Sequence, residues 1–142
     1  MPARIFPTAQ DAAAAFYEAL ERADLELMMA VWSEDEEIVC VHPGGARLSG
    51  QDQVRESWRQ IFAGGARARV HATQQVAIAG AMVEVHSVHE NFSVPGERKP
   101  LQAVVATNVY LRTAAGWRMI AHHGSPAPGA AEPPPAAPAT LH

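Results

Sequence analysis

The chain reads as an α+β protein, and three observations carry that reading. Helical periodicity is confined to the first half, the second half holds four long stretches of strand character, and short turns join those stretches. Strands of this length linked by hairpin-length turns form an antiparallel meander rather than βαβ units.

Residues 8–32 are expected to form two helices with a bend between them. Thr8, with Asp11 three residues on, resembles a capping box. Phe16, Leu20, Ala23 and Leu27 recur at helical spacing, and Asp24 stands where a second N-cap would open a short helix through Met28, Val31 and Trp32. The acidic run Ser33-Glu34-Asp35-Glu36 ends it. Residues 37–42 form a short strand with apolar Ile38, Val39 and Val41, stopped by Pro43-Gly44-Gly45, and 46–48 form a brief return strand. Ser49 and Asp52 mark a third helix start, with Val54, Trp58, Ile61 and Phe62 as its buried stripe and Gly64-Gly65 as its end. The long strand candidates are 66–78, 82–94, 101–113 and 117–125. Beyond Pro126 the chain is mostly Pro, Ala and Gly. Residues 127–142 are therefore expected to be a disordered tail outside a folded domain of residues 1–126.

A chain of 142 residues suits one domain with a real core, and 48% apolar with 18% charged residues is ordinary for a globular protein. The net charge of −4 argues against a nucleic-acid or anionic-membrane partner. No apolar run approaches the ~20 residues of a membrane span. The N-terminus lacks the apolar stretch of a signal peptide, so a cytoplasmic protein is expected. Cys40 is the only cysteine, which leaves no internal disulfide. His86 and His89, like the adjacent His122 and His123, diverge on a strand, and no HxH or HExxH pattern exists, so neither metal nor cofactor is expected.

The last strand is the most informative stretch. Alternation puts Trp117, Met119, Ala121 and His123 on one face and Arg118, Ile120 and His122 on the other. One histidine therefore points inward and one outward.

The order of elements, together with Ala30-Val31-Trp32-Ser33-Glu34-Asp35, Val41-His42-Pro43-Gly44-Gly45, residues 50–58, His89-Glu90-Asn91, Ala106-Thr107-Asn108-Val109-Tyr110 and residues 116–126, resembles the nuclear-transport-factor-2-like superfamily. The resemblance is greatest to SnoaL-like and ketosteroid-isomerase-like proteins, and extends to the association domain of calcium/calmodulin-dependent protein kinase II. It implies a cone: a strongly curved antiparallel sheet wrapped around N-terminal helices, the cystatin-like roll, with a pocket inside. It also implies a homodimer through the outer sheet face. Apolar residues on both faces of the fifth strand (Val105, Val109 and Leu111 against Val104, Ala106 and Tyr110) are consistent with a sheet covered on both sides.

Within such a cone, Glu90 sits mid-strand among apolar neighbours, where desolvation raises a carboxyl pKa and suits it to proton transfer. Asn108 would offer an amide toward a ligand oxygen. His122 is expected to face the cone and His123 the dimer side, so that His122 could act with Glu90 as acid or base. His42 would stand at the cone mouth, and Trp32, Trp58 and Tyr110 could supply pocket walls. Glu90 and His122 are thus the candidate catalytic pair, within a ligand set of Trp32, His42, Trp58, Glu90, Asn108, Tyr110 and His122. The Asp, Tyr and second Asp of ketosteroid isomerases find no match here. Three readings stand: binding of a small organic molecule, acid–base chemistry of an isomerase, cyclase or dehydratase in the same pocket, or assembly alone.

Overall fold

A computed structural model of the protein describes residues 4–34, 37–65, 68–97 and 101–133. Three helices come first, α1 (Ala9–Arg22), α2 (Leu25–Val31) and α3 (Gly50–Ala63), with the short strands β1 (Val39–Val41) and β2 (Arg47–Ser49) ahead of α3. The long strands β3 (Arg69–Ala79), β4 (Val83–Ser93), β5 (Gln102–Thr113) and β6 (Gly116–Ala130) follow. The fold class is the α+β one expected.

Local chemistry sets the helix boundaries. The Thr8 hydroxyl accepts from the Asp11 amide at 3.0 Å and donates to the Asp11 carboxylate at 2.8 Å. Ala23 closes α1 in the left-handed region at φ 51°, and Asp24 immediately caps α2 by accepting from the Leu27 amide at 3.0 Å. The bend between the helices is thus one left-handed residue followed by one cap. Ser49 stands at the N-cap of α3 as expected, but its side chain caps nothing. The Gln53 side chain instead reaches back to the Ser49 amide at 2.9 Å.

The strands form a single open sheet in the order β2-β1-β6-β5-β4-β3, antiparallel throughout except for the parallel β1–β6 pair. Phe16, Met28, Trp32, Tyr110 and Met119 are fully buried in the core between the helices and the inner sheet face. At the start of β6 the chain passes residue 6 so closely that a Cβ on Gly116 (φ 91°) would lie 2.8 Å from the Phe6 carbonyl oxygen, which accepts the Trp117 amide. Only glycine fits that turn.

Two sequence expectations are corrected. Strict alternation along β6 places Met119 and His122 on opposite faces, yet both are buried against the inner side. Tyr110 pairs with Met119 while its neighbour Val109 pairs with Ala121, so Ile120 is an extra residue. This β-bulge reverses parity midway along the strand.

The second correction concerns the tail. β6 does not stop at Pro126 but runs to Ala130, which pairs with Gln102. β1 covers β6 only over Ala121–His123. Beyond that point β6 has one strand neighbour, and the missing N–H of a proline is tolerated at such an edge. Ala127 and Ala131 are buried against Ala103, the Ala131 amide donates to the Leu101 carbonyl at 3.0 Å, and the Glu132 amide donates to Asn91 Oδ1 at 2.9 Å. The remainder of the expected tail, 134–142, lies outside the described residues.

Candidate functional site

The inner face of the sheet carries more polar chemistry than a plain core needs. β4 contributes His86, Val88 and Glu90, β5 contributes Ala106, Asn108 and Tyr110, and β6 contributes His122, all of them buried. Registers align them: Asn108 stands opposite His86 on one side and opposite His122 on the other. Tyr17 reaches the same place from α1.

These residues make one continuous string. Tyr17 donates its hydroxyl proton to Glu90 Oε2 at 2.8 Å and accepts from Asn108 Nδ2 at 3.1 Å. The Asn108 oxygen is left to accept from His122 Nδ1–H at 2.6 Å. The bonding fixes the tautomer: Nδ1 of His122 carries the proton and Nε2 keeps its lone pair. Glu90 and His122, the pair expected to act together, do not touch. Asn108 and Tyr17 link them.

Burial sets the protonation states. Desolvation raises the Glu90 carboxyl to a pKa of about 7, against the opposing effect of the Tyr17 hydrogen bond. The same cause, helped by the Glu90 charge, raises the Tyr17 phenol far above its ordinary value, so it stays a donor. His122 is pushed down to about 3 by burial and then by His42 and His123, so it is neutral at any ordinary pH. An uncharged His122 donates through Nδ1–H to Asn108 and offers Nε2 as an acceptor.

A second group, drawn from α1, α3 and the segment after β1, surrounds His122. Phe16 and Trp58 rings lie 5.1 and 6.2 Å from it, and the His42 ring lies 6.4 Å away. His42 packs edge-on against Trp58 at 4.7 Å, and its Nε2 is 3.1 Å from Ser57 Oγ, whose proton goes to the Val54 carbonyl. Burial lowers the His42 pKa. Trp58 and Phe62 continue the aromatic surface at 5.7 Å. Of the expected ligand residues, Trp58, His42, Asn108, Glu90 and His122 are therefore gathered together. Trp32 sits within the main core, bridged to Met119. Tyr110 packs on His86 at 5.0 Å and lies close enough to the string to feel Glu90 and Asn108. The Trp32 and Trp58 indole nitrogens and the Tyr110 hydroxyl are buried without a hydrogen-bond partner among the described residues.

A recess of about 160 Å³ opens at the Tyr17 end of the string, with Tyr17, Val88, His86 and Gln75 among its walls; Glu90, Asn108 and His122 do not line it. Gln75 donates to His86 Nδ1 at 3.1 Å, and His86 Nε2 lies 2.6 Å from Glu84. This polar trio went unseen in the sequence, as did Tyr17. Gln75 reaches inward because β3 also bulges between Thr73 and Val76, with Gln74 left-handed at φ 53°. Tyr17 lies beside Phe16 at the edge of the α1 apolar stripe, which was the one available signal. Among the described residues, no group of three or more His, Cys, Asp or Glu side chains is arranged to hold a metal ion, and no helix is long and apolar enough to cross a membrane.

Residues 9–129 match the family model of the SnoaL-like domain. The chain belongs to the SnoaL-like domain family. Its solved relatives share the fold. A protein of Thiobacillus denitrificans, provisionally named a calcium/calmodulin-dependent protein kinase type II association domain, is 41% identical with a TM-score of 0.82, over 87% of this chain and 98% of that one. A Streptomyces avermitilis protein of the NTF2-like family, provisionally named a dehydratase, is 33% identical with a TM-score of 0.74, over 83% and 92% of the two chains. A protein of Parabacteroides distasonis, provisionally named a ketosteroid isomerase, is 16% identical with a TM-score of 0.68, over 84% and 87%, and supports the fold alone. No curated protein matches the chain. The fold expected from the resemblance, a cystatin-like roll of the NTF2-like kind, is the one found.

Proposed function

We propose that this SnoaL-like domain binds a small organic molecule inside its cone, against the Glu90–Tyr17–Asn108–His122 string. The observation that supports the reading is the state of Glu90. A carboxylate offers about four acceptor positions, and among the described residues Glu90 accepts a single hydrogen bond, from Tyr17. A buried carboxylate kept only for structure should be paired or bonded on most of its positions. A ligand hydroxyl or N–H entering from the Tyr17 side would supply what is missing. The ligand is small, since the adjoining recess is well below the ~300 Å³ of an ordinary ligand pocket.

The test is to denature purified protein and identify any released small molecule by mass spectrometry, alongside a nuclear magnetic resonance screen of small alcohols, ketones and amides. A retained or titrating neutral molecule that shifts the Glu90 and Asn108 side-chain signals, and is lost in Tyr17→Phe, supports the reading. Absence of any such molecule in both experiments overturns it.

A second reading, acid–base catalysis, rests on the Glu90 pKa of about 7. At neutral pH the carboxyl is near half-protonated, which suits proton transfer in either direction. The provisional name of the Streptomyces avermitilis relative fits this reading. Glu90 would be the proton acceptor and Tyr17 the hydrogen-bond donor that steadies it. Hydrogen–deuterium exchange beside the carbonyl of a bound ketone should then depend on Glu90 and vanish in Glu90→Gln while binding persists. Exchange unaltered by that change refutes the role.

We further propose that the domain pairs with a second copy through its outer sheet face. Val76 and Ile78 are 59% and 67% exposed there, and Val105, Val109 and Leu111 are only half-buried. Light scattering should show a dimer that Val109→Asp dissociates. A wild-type monomer at micromolar concentration refutes it.

A further inference from the structure

We propose a second ligand site, for a small organic monocarboxylate, in the cleft where α2 and α3 meet the β5–β6 turn. The cleft encloses about 340 Å³ and shares no wall with the Glu90 string. Its central group is Arg118. This arginine is 8% exposed, yet its guanidinium donates only to main-chain oxygens, to Arg4 at 2.7 Å and Ala115 at 3.4 Å, and its underside lies 5.6 Å from the Phe6 ring centre. Among the described residues no carboxylate lies within ion-pairing distance of it. A buried cation without a counter-charge is costly, and the cost falls when an anion occupies the cavity beside it.

The charges of the walls select the anion. Arg4, Arg55 and Arg118 line the cleft with Glu26 and Glu34. Arg55 is already paired with Glu26 at 2.7 Å. What remains is a small positive excess, enough for one negative charge, with carboxylates nearby to repel a second. Nη2 is committed to the two main-chain oxygens, so Nη1 and Nε–H are the donors left, and a carboxylate would take a single charge-assisted hydrogen bond from Nη1. Met29, Ala30 and Ala115 supply an apolar wall, so the rest of the ligand is a short hydrocarbon body. The main-chain bonds to Arg4 and Ala115 hold the guanidinium in place before anything binds, which reduces the ordering cost of recognition.

Sodium butyrate is the probe, with sodium phosphate and sodium chloride at matched ionic strength for comparison. The readout is the amide shifts of Ala30, Ser33 and Ala115 together with the Arg118 side-chain Nε–H. Butyrate should shift these saturably in the millimolar range, while phosphate and chloride leave them in place. Arg118→Lys keeps the charge but loses the main-chain bonds that aim it, and should weaken butyrate binding about tenfold. Should that variant not fold, Ala30→Leu fills the cleft from the surface of α2 and should abolish the shifts. The proposal is overturned if butyrate behaves like chloride, if phosphate moves the same signals equally, or if Ala30→Leu leaves butyrate binding intact.

Discussion

Replacing Glu90 by Gln should make the protein more stable at alkaline pH while leaving it nearly unchanged in acid. The folded carboxyl titrates at about 7 against an ordinary 4.5. An acid whose folded pKa is raised binds more protons folded than unfolded between those values, so stability falls as pH rises through the interval. The difference corresponds to about 3 kcal/mol at ~1.4 kcal/mol per unit. Below pH 4.5 both states are protonated, and Gln, of the same shape, accepts the Tyr17 hydroxyl equally well. His122 acts oppositely: its folded pKa of about 3 makes stability fall as pH drops below 6.5. That contribution is common to both proteins and cancels in their difference. Urea unfolding followed by tryptophan fluorescence, run from pH 4 to 8.5, should therefore give a stability difference, Glu90→Gln variant minus wild type, that climbs by about 3 kcal/mol and levels off above pH 7. A flat difference, or one that falls with pH, refutes the picture of a desolvated, singly bonded carboxyl.

Tyr17→Phe removes the bond that holds the Glu90 pKa down and leaves an Asn108 donor unpartnered. The expected loss is about 1–3 kcal/mol, with the Glu90 carboxyl 13C titration moving to still higher pH. Ending the chain at Pro126 should cost a similar amount, about 1–3 kcal/mol, because Asn91 Oδ1 loses the Glu132 amide and the Ala103–Ala127–Ala131 cluster opens. A free tail would give no change. The Cys40 thiol is fully buried and pushed up to about 12 by desolvation. A thiol reagent at pH 8 should react at the rate of global opening, and fast reaction of the native protein contradicts the assigned packing.

The sequence made the elements legible because each carries its own local signal. Thr8 and Asp24 cap where they were expected, and the Phe16 stripe faces the core. Glu90, Asn108 and His122 could be placed on inward faces because period-2 alternation holds along most of β4, β5 and β6. It fails where a strand takes an extra residue. Nothing in Met119-Ile120-Ala121 distinguishes a bulge from regular strand, since the extra residue is as apolar as its neighbours. Gln75 was invisible for the same reason. Tyr17 was hidden differently: its role depends on the height at which α1 crosses β4 and β5, a tertiary distance that no local pattern encodes. The continuation of β6 past Pro126 also escaped. A proline in sequence signals a missing donor, but not whether that side of the strand has a neighbour to miss it.

The parallel pairing of β1 with β6 has a consequence for synthesis on the ribosome. Val39–Val41 lie early in the chain, yet the backbone groups on one side of β1 find partners only in Ala121–His123. The core beneath the helices likewise waits for Tyr110 and Met119. While the chain is still emerging, α1, α2 and α3 have an apolar stripe and nothing to cover it. Contacts of such long sequence separation form late and slowly, and uncovered apolar surface in a partly made chain invites aggregation. Release of the C-terminal strand from the exit tunnel is thus the event that commits this domain to its fold.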